Sequence, residues 1–375
     1  MTEKTVVRRC AVAWLEPREL ASFQLEGLLS GGTGVVSRLC WLAHAPHLPA
    51  PVEVTGDQVL LLGALGPVDW LELDALVARF GAEAVAGLLE SGLLVPRMDE
   101  GAAFADARFR SQGWHPPAAL AHMSSRWEGI DGPKGMAEQD LDTNEGLLRR
   151  HGLPPPEDRA QTDATDRVAL PRIGRDAFRG LLDTRATCRN FDTSADVSLA
   201  AFSQLMARVF GARGRGSPAS GFNVYKRTSP SGGALHPTEC WLIVQRVEDV
   251  APGLYHYRMD AHALEPVRAR VAPPQPGDTG TTPLDEKADK AWSRDELRAF
   301  ARIVVAGQDY FADAAVLCIL APRFRRNFWK YRNHAKAYRV TVLDVGHLSQ
   351  TLQLCATQAG LGPFITGAIN EVDIE

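Results

Sequence analysis

Apolar residues recur along this chain with two different periods, and the changes of period mark its segments. From Val68 to Phe80 and from Ala82 to Glu90 they return every three or four positions, which predicts two helices separated by Gly81. Val7–Leu15, closed by Pro17, and Leu93–Pro96 have the composition of strands, while Gln58–Leu65 reads as a strand or a short helix ahead of the Gly66-Pro67 break. Residues 19–48 fit neither template. Helix, turn, helix, strand is the order of a winged-helix unit, here expected over residues 1–98. A winged helix that reads DNA needs a basic second helix, but Ala82–Glu90 carries Glu83 and Glu90 and no base. Protein or peptide binding is the better expectation for this unit.

Residues 99–169 are rich in Ala, Asp, Arg and Pro, with Pro154–Pro156 and a polar run from Glu157 to Arg167. They predict a connector with one or two short helices, one of them around Pro117–Arg126. Beyond it, over residues 170–375, the pattern sharpens again. Helices are expected at Asp176–Asp183 and at Ser198–Phe210, the latter capped by Ser198. A basic Gly-rich loop, Gly211–Gly221, comes next. Glu239–Val247 and Ala312–Leu320 read as buried strands, and Gly253–Tyr257 with His262–Val267 as an antiparallel pair. Residues 272–290 form a Pro/Gly/Thr insertion. Ala337–Gly360 is the longest helical pattern, apolar on more than one face, which places it at the centre of its fold or in a subunit interface. Pro363–Ile369 predicts one more strand.

Composition narrows the function classes. A chain of 375 residues favours two structural units, and a net charge of -4 provides no global attraction to nucleic acid or anionic membrane. No apolar run is long enough to span a bilayer, and Met1–Arg9 lacks the apolar core of a signal peptide. The six cysteines form no CxxC pair and sit mostly in apolar runs, as reduced buried residues do. A cytoplasmic protein without structural zinc is expected.

Three stretches carry chemistry. Thr228–Pro237 holds two glycines, two prolines and small hydroxyl residues. It reads either as a plain turn or as a surface on which a large flat ligand lies against main chain, with N–H and hydroxyl donors facing its polar edge. Arg185-x-Thr187-x-Arg189-x-Phe191 places alternate residues of an extended segment on one side. Two guanidinium groups and a hydroxyl can converge there on an anion such as phosphate, unless this is a solvated basic edge. In Arg323–His334, basic and aromatic residues surround Lys330-Tyr331. Neighbouring cations and partial burial would suit that pair to general acid–base work, whereas the bland alternative is a solvated helix face. His236, Glu239 and Cys240 have ligand-type side chains but not the spacing of a zinc site, so no metal is expected.

Arg185–Phe191, Ser229-Pro-Ser-Gly-Gly-Ala-Leu-His-Pro237, Pro252-Gly-Leu-Tyr-His-Tyr257, Lys330-Tyr331 and Ala337–Gln350 together resemble the SagB/ThcOx-type branch of the nitroreductase-like flavoproteins. The resemblance covers Leu170–Glu375, and the chain looks most like the peptide-maturation dehydrogenases of that branch. It implies an α+β fold, with a mixed β-sheet flanked by helices and the winged-helix-like unit in front. It also implies FMN as cofactor, a homodimer with the flavin between subunits, and a ribosomally made precursor peptide as partner, with other maturation enzymes nearby. By motif, Arg185, Thr187 and Arg189 would hold the phosphate and ribityl chain. Pro230, Ser231, Gly232 and Gly233 would line the isoalloxazine, Gly367 would approach it from the last strand, and Lys330 and Tyr331 would match the family's catalytic pair. Family members tolerate Ala at the position of Gly232, and they continue past the position of Gly367 with a further strand and helix. A short form or a missing C-terminal part is therefore expected here. The implied reaction is oxidation of thiazoline or oxazoline rings to azoles. The alternatives are an NAD(P)H-driven flavin reductase of nitro, quinone or dehydroamino acid substrates, and a non-catalytic peptide-binding subunit.

Overall fold

In the computed structural model, residues 5–97, 101–156, 167–269, 271–275, 277, 278, 280 and 291–375 are described. The chain forms two compact units, Met1–Ser125 with Phe324–Arg339, and Arg126–Arg323 with Val340–Glu375. Among the described residues no helix is long and apolar enough to cross a membrane.

The first unit starts with β1 (Val6–Arg9) and β2 (Trp14–Phe23), followed by α1 (Leu25–Leu29), β3 (Val35–His44) and β4 (Val52–Val54). Instead of one strand closed by Pro17, two strands form, and β2 runs through the proline. This is possible because β2 lies at the edge of the β2-β3-β4 sheet, where a missing N–H breaks no inner ladder. The mixed stretch 19–48 is mainly the far half of β2 and its partner β3, paired in register from Trp14–His44 to Phe23–Val35. Gln58–Leu65 resolves as helix α2 (Gly56–Ala64). Thr55 and Gln58 make a reciprocal capping box that an extended strand could not use.

Then come β5 (Leu71–Glu72), α3 (Leu73–Phe80), α4 (Ala82–Glu90) and β6 (Leu94–Pro96). Gly81, at φ +87°, makes the turn between the helices in a conformation few other residues adopt. Leu61, Leu62, Val85, Leu88 and Leu94 bury a single core against the β5-β1-β6 sheet.

The polar stretch that follows is more ordered than its composition suggests. It forms α5 (Gly101–Gln112), α6 (Pro116–Ser124), α7 (Gly132–Glu138) and α8 (Asn144–His151). In α5 the order comes from buried polar partners. Asp106, 1% exposed, accepts the Ala11 amide and the Arg110 guanidinium, and Arg110 donates onward to the Pro67 and Arg9 carbonyls.

In the second unit, α9 (Ala177–Thr184) and α10 (Leu199–Val209) start on the side-chain caps Asp176 and Ser198. The expected loop at 211–221 is largely a hairpin of β7 (Gly214–Ala219) and β8 (Phe222–Lys226). Strands β9 (Thr238–Val244), β10 (Gly253–Arg258) and β11 (Ala263–Val267) follow, and after α11 (Arg294–Val304) and α12 (Asp309–Ala312) comes β12 (Val316–Pro322). The sheet order is β11-β10-β9-β12, antiparallel along its ladders, with one isolated parallel bridge at Val197–Val247. Alternation along β9 sorts the core. Ile243 faces Leu297, Phe300 and Val304 of α11, while Cys240, Leu242 and Val244 face Phe202 and Met206 of α10. The architecture is α+β, as expected. Most of the insertion at 272–290 lies outside the described residues.

Helix α13 (Phe324–Lys330) belongs to the first unit, where Trp114 packs against Phe324, Phe328 and Tyr338. Then α14 (Ala337–Gln358) and α15 (Glu371–Ile374) complete the chain. The strand expected at Pro363–Ile369 does not form, because its backbone is held by single contacts rather than by a ladder. Pro363 O accepts the Cys188 amide at 3.0 Å, and Ala368 O accepts Gln308 Nε2 at 2.9 Å. Asn370 then locks the end in place. Fully buried, it donates to the Ile130 and Ile303 carbonyls at 3.0 and 2.9 Å and accepts the Ile130 amide at 3.0 Å. Asn370→Ala leaves those groups buried without partners, and urea denaturation should show a loss of about 3 kcal/mol.

Candidate functional site

The loop Thr228–Pro237 joins β8 to β9 and is shaped by three residues at positive φ: Gly233 at 67°, Ala234 at 56° and His236 at 43°. Two of them are not glycine, so the surroundings must hold the conformation. Leu235, 1% exposed, anchors the loop in the interior, and the buried Ser229 hydroxyl meets Thr351 Oγ1 at 2.7 Å. The main restraint is Asp344 of α14, itself 4% exposed. Its carboxylate accepts the Ser231 hydroxyl at 2.6 Å and the Gly232 amide at 3.1 and 3.2 Å. Ser231 Oγ in turn accepts the His236 amide at 3.0 Å.

Val340, Asp344 and Thr351 follow at spacings of four and seven, which puts them on one side of α14 beneath the loop. A Cβ built at Gly232 would lie 2.3 Å from Val340 Cγ1, so in this chain an alanine there would have to push Val340 aside. The Ser231 hydroxyl and Gly232 amide, read from sequence as donors to a ligand, are engaged by Asp344 instead. Pro230 and Gly233 remain exposed.

The same helix supports the basic segment. Arg185 follows the end of α9, is half-buried and donates Nη1 to Gln353 Oε1 of α14 at 3.3 Å. Thr187 and Arg189 are exposed, and the Arg189 guanidinium lies 5.2 Å from the Phe364 ring centroid. Cys188 packs on Gly362, close enough that a Cβ there would come within 2.6 Å of its sulfur. Among the described residues neither arginine has a carboxylate partner, so both positive charges are available to an anion. Gly367 is exposed in the irregular segment after α14.

Lys330 and Tyr331 lie at the end of α13, in the first unit. Lys330 is exposed, with Nζ 5.4 Å from the Tyr331 ring centroid, and Tyr331 is half-buried beside the Trp114 cluster. The partial burial anticipated for Lys330 is not found. Arg323, one of the cations expected to act on it, pairs with Glu239 at 2.9 Å. Glu239 also faces His256 at 3.5 Å, and the Cys240 side chain is buried in the core. Sequence reading missed Asp344, Thr351 and Gln353. The one available signal was a lone carboxylate and polar residues inside an otherwise apolar helix. Asp344→Ala should lower stability by about 2 kcal/mol, the worth of a hydrogen bond to a buried charged group, and speed hydrogen exchange at the Gly232 amide. Asp344→Asn, which keeps an acceptor, should lose less by both measures.

With this geometry in view, comparison with known proteins gives a consistent family. The chain is 25% identical over 210 residues to a Methanocaldococcus jannaschii protein provisionally named a nitroreductase, an alignment covering 56% of this chain and 88% of that protein. It is 28% identical over 151 residues to the trifolitoxin-processing protein TfxB of Rhizobium leguminosarum bv. trifolii, covering 40% of this chain and 34% of TfxB. To the microcin B17-processing protein McbC of Escherichia coli it is 28% identical over 176 residues, covering 46% of this chain and 53% of McbC. The chain thus spans about a third and about half of these two processing proteins. Among solved structures, a chain of the E. coli microcin synthetase McbBCD complex with truncated pro-MccB17 bound aligns with a TM-score of 0.39 and 19% identity, over 64% of this chain and 77% of that one. The model of the nitroreductase family matches residues 182–375. That match takes in Arg185, the loop, α14 and more than half of the sequence, and the chain belongs to the nitroreductase family, a family of oxidoreductases.

Proposed function

We propose that the second unit binds FMN and dehydrogenates a ribosomally made, modified peptide, oxidising a thiazoline or oxazoline ring to the azole. The observation that carries the cofactor half is the pair Arg185 and Arg189. They are two guanidinium groups without carboxylate partners, one of them fixed to the same helix that fixes the loop. The residues present fit FMN. Arg185, Thr187 and Arg189 would hold the phosphate and ribityl chain, and Pro230, Ser231, Gly232 and Gly233 would offer main chain to the ring system. When bound, FMN supplies an acceptor for two electrons. Asp344 keeps the loop rigid, so ordering it on binding costs little further entropy. Lys330 or Tyr331 would accept the proton released from the substrate Cα.

The peptide half rests on kinship with two proteins named for processing trifolitoxin and microcin B17. A feature of the first unit is compatible with it. A trough of about 590 Å³ there is lined by Trp14, Leu120, Met123 and several prolines, with the Glu16–His44 pair at 2.7 Å in its wall. A homodimer is part of the same reading. Helix α9 buries none of its residues and leaves Phe178 63% exposed, and Leu343 of α14 is 56% exposed, as surfaces awaiting a partner are. Sedimentation should therefore give a dimer, and Phe178→Glu with Leu343→Glu should shift it to monomer; a wild-type monomer would remove the dimer from this reading.

The purified protein should be yellow, with the visible absorption of a bound flavin, and release FMN on denaturation. Arg185→Ala with Arg189→Ala should leave it colourless. Lys330→Ala should retain the colour and lose turnover of an azoline peptide, with Tyr331→Phe separating the two candidate bases. Wild-type protein that stays colourless in excess FMN would overturn the enzyme reading and leave a peptide-binding subunit.

A further inference from the structure

A cavity of the nitroreductase-like unit lies beyond the C-terminal end of the loop and has no place in the reading above. It encloses about 340 Å³, towards the small end of ligand sites, which run from ~300 to ~1,000 Å³. Its charges are unevenly paired. Three guanidinium groups line it, those of Arg227, Arg258 and Arg323, against the two carboxylates of Glu239 and Asp260. Arg323 pairs with Glu239 at 2.9 Å, and Arg258 pairs with Glu265 at 2.6 Å and Asp260 at 3.6 Å. Arg227 has no carboxylate partner among the described residues.

The other acidic groups of the wall do not offer Arg227 an anion. Burial pushes the Tyr257 phenol up to about 12 and the Cys240 thiol well above its usual range, so both stay protonated and neutral near pH 7. Glu265, the partner of Arg258, brings the carboxylates of the cluster to three, so the excess of positive charge is local to Arg227 and not a property of the whole lining.

The detailed environment of Arg227 localises that charge. Nη1 donates to the Thr238 carbonyl at 3.2 Å, Nη2 lies against the Met259 thioether, and Nε is buried without a partner. A thioether is a weak acceptor on a flexible side chain. Nε and Nη2 form one edge of the guanidinium, the edge that carboxylates grip with two parallel hydrogen bonds. The Thr238 hydroxyl, on a residue 1% exposed, is also without a partner and belongs to the same wall. An unmatched buried cation and a buried hydroxyl without a bond are each unfavourable unless something completes them.

We propose that this cavity binds a small monocarboxylate, which displaces the Met259 thioether, takes the Nε–Nη2 edge of Arg227 and accepts the Thr238 hydroxyl. A single negative charge matches the one guanidinium of the lining that has no carboxylate partner among the described residues. A dianion such as phosphate would add a charge that Glu239 and Asp260 repel. Phe210 and Tyr257, with ring centroids 6.3 Å apart, supply apolar walls for a flat body. An aromatic carboxylate is the ligand class that fits.

The test is calorimetric titration of the purified full chain with benzoate and, in parallel, with inorganic phosphate. Benzoate should bind saturably at one site per chain and more tightly than phosphate. Thr238→Val keeps the side-chain shape and removes only the hydroxyl, and Arg227→Lys keeps the charge and removes the fork. Each should weaken benzoate about tenfold, the loss of one hydrogen bond to a charged group. Three outcomes would overturn the assignment: no saturable benzoate binding, affinity unchanged in both variants, or phosphate binding the tighter of the two. None of these depends on FMN, so the result stands apart from the fate of the flavin reading.

Discussion

The candidate site depends on one buried carboxylate. Asp344 lies inside α14 with 4% of its surface exposed, and both oxygens face donors of the loop at 228–237. The loop needs such a partner. Ala234 and His236 hold backbone conformations that L-residues adopt only at a cost of about 1 kcal/mol each or more, and a solvated loop would relax out of them. Asp344 acts through Ser231, whose oxygen also takes the His236 amide, so one side chain fixes both ends of the strained stretch. The Ser229–Thr351 contact and the buried Leu235 hold what remains. Because Gln353 on the same helix takes Arg185, the basic segment is positioned by the scaffold that positions the loop. Placing these contacts on a rigid helix preorganises the surface before any ligand arrives.

How much of this the sequence disclosed depended on where each segment finds its partners. The α3–Gly81–α4 pair, the β10–β11 hairpin and α14 were legible because their apolar spacing is the property that folds them. Helix α6 was anticipated around Pro117–Arg126, but α5, α7 and α8 were not, because their composition is polar and α5 is held by Asp106 and Arg110, contacts made across more than 90 residues of sequence. Pro17 misled for the opposite reason. It reads as a stop, but on an edge strand the absent N–H faces no partner. At 363–369 the residues have strand composition and no neighbouring strand to pair with among the described residues, so composition alone overcalled an element that pairing must complete. At the site, the ligand-facing stretches were visible and their supports were not. Arg185, Arg189 and the loop stand out as motifs, whereas Asp344 and Gln353 look like ordinary polar interruptions of a helix.

The arginines show why placement matters more than residue type. Arg302 pairs with Asp131 and Asp309, Arg110 with Asp106, Arg258 with Glu265, and Arg323 with Glu239. These charges are satisfied within the chain, and nothing further is needed to explain them. Arg323 stood in the basic run thought to act on Lys330, yet its carboxylate partner makes it a structural contact of β9. Arg185, Arg189 and Arg227 differ in that, among the described residues, the groups they touch directly are neutral: an amide, an aromatic ring, a carbonyl and a thioether. A guanidinium exposed to water tolerates this at little cost, so Arg189 alone would mean little. For Arg227 the situation is different, because burial disfavours its charged form and the nearby Glu239, itself paired with Arg323, offsets that penalty only in part. A mostly buried guanidinium without a paired carboxylate is stable only if the fold around it absorbs the penalty or a ligand removes it. The packing around Arg227 includes a second unsatisfied group, the Thr238 hydroxyl, and that makes absorption by the fold the harder of the two to sustain.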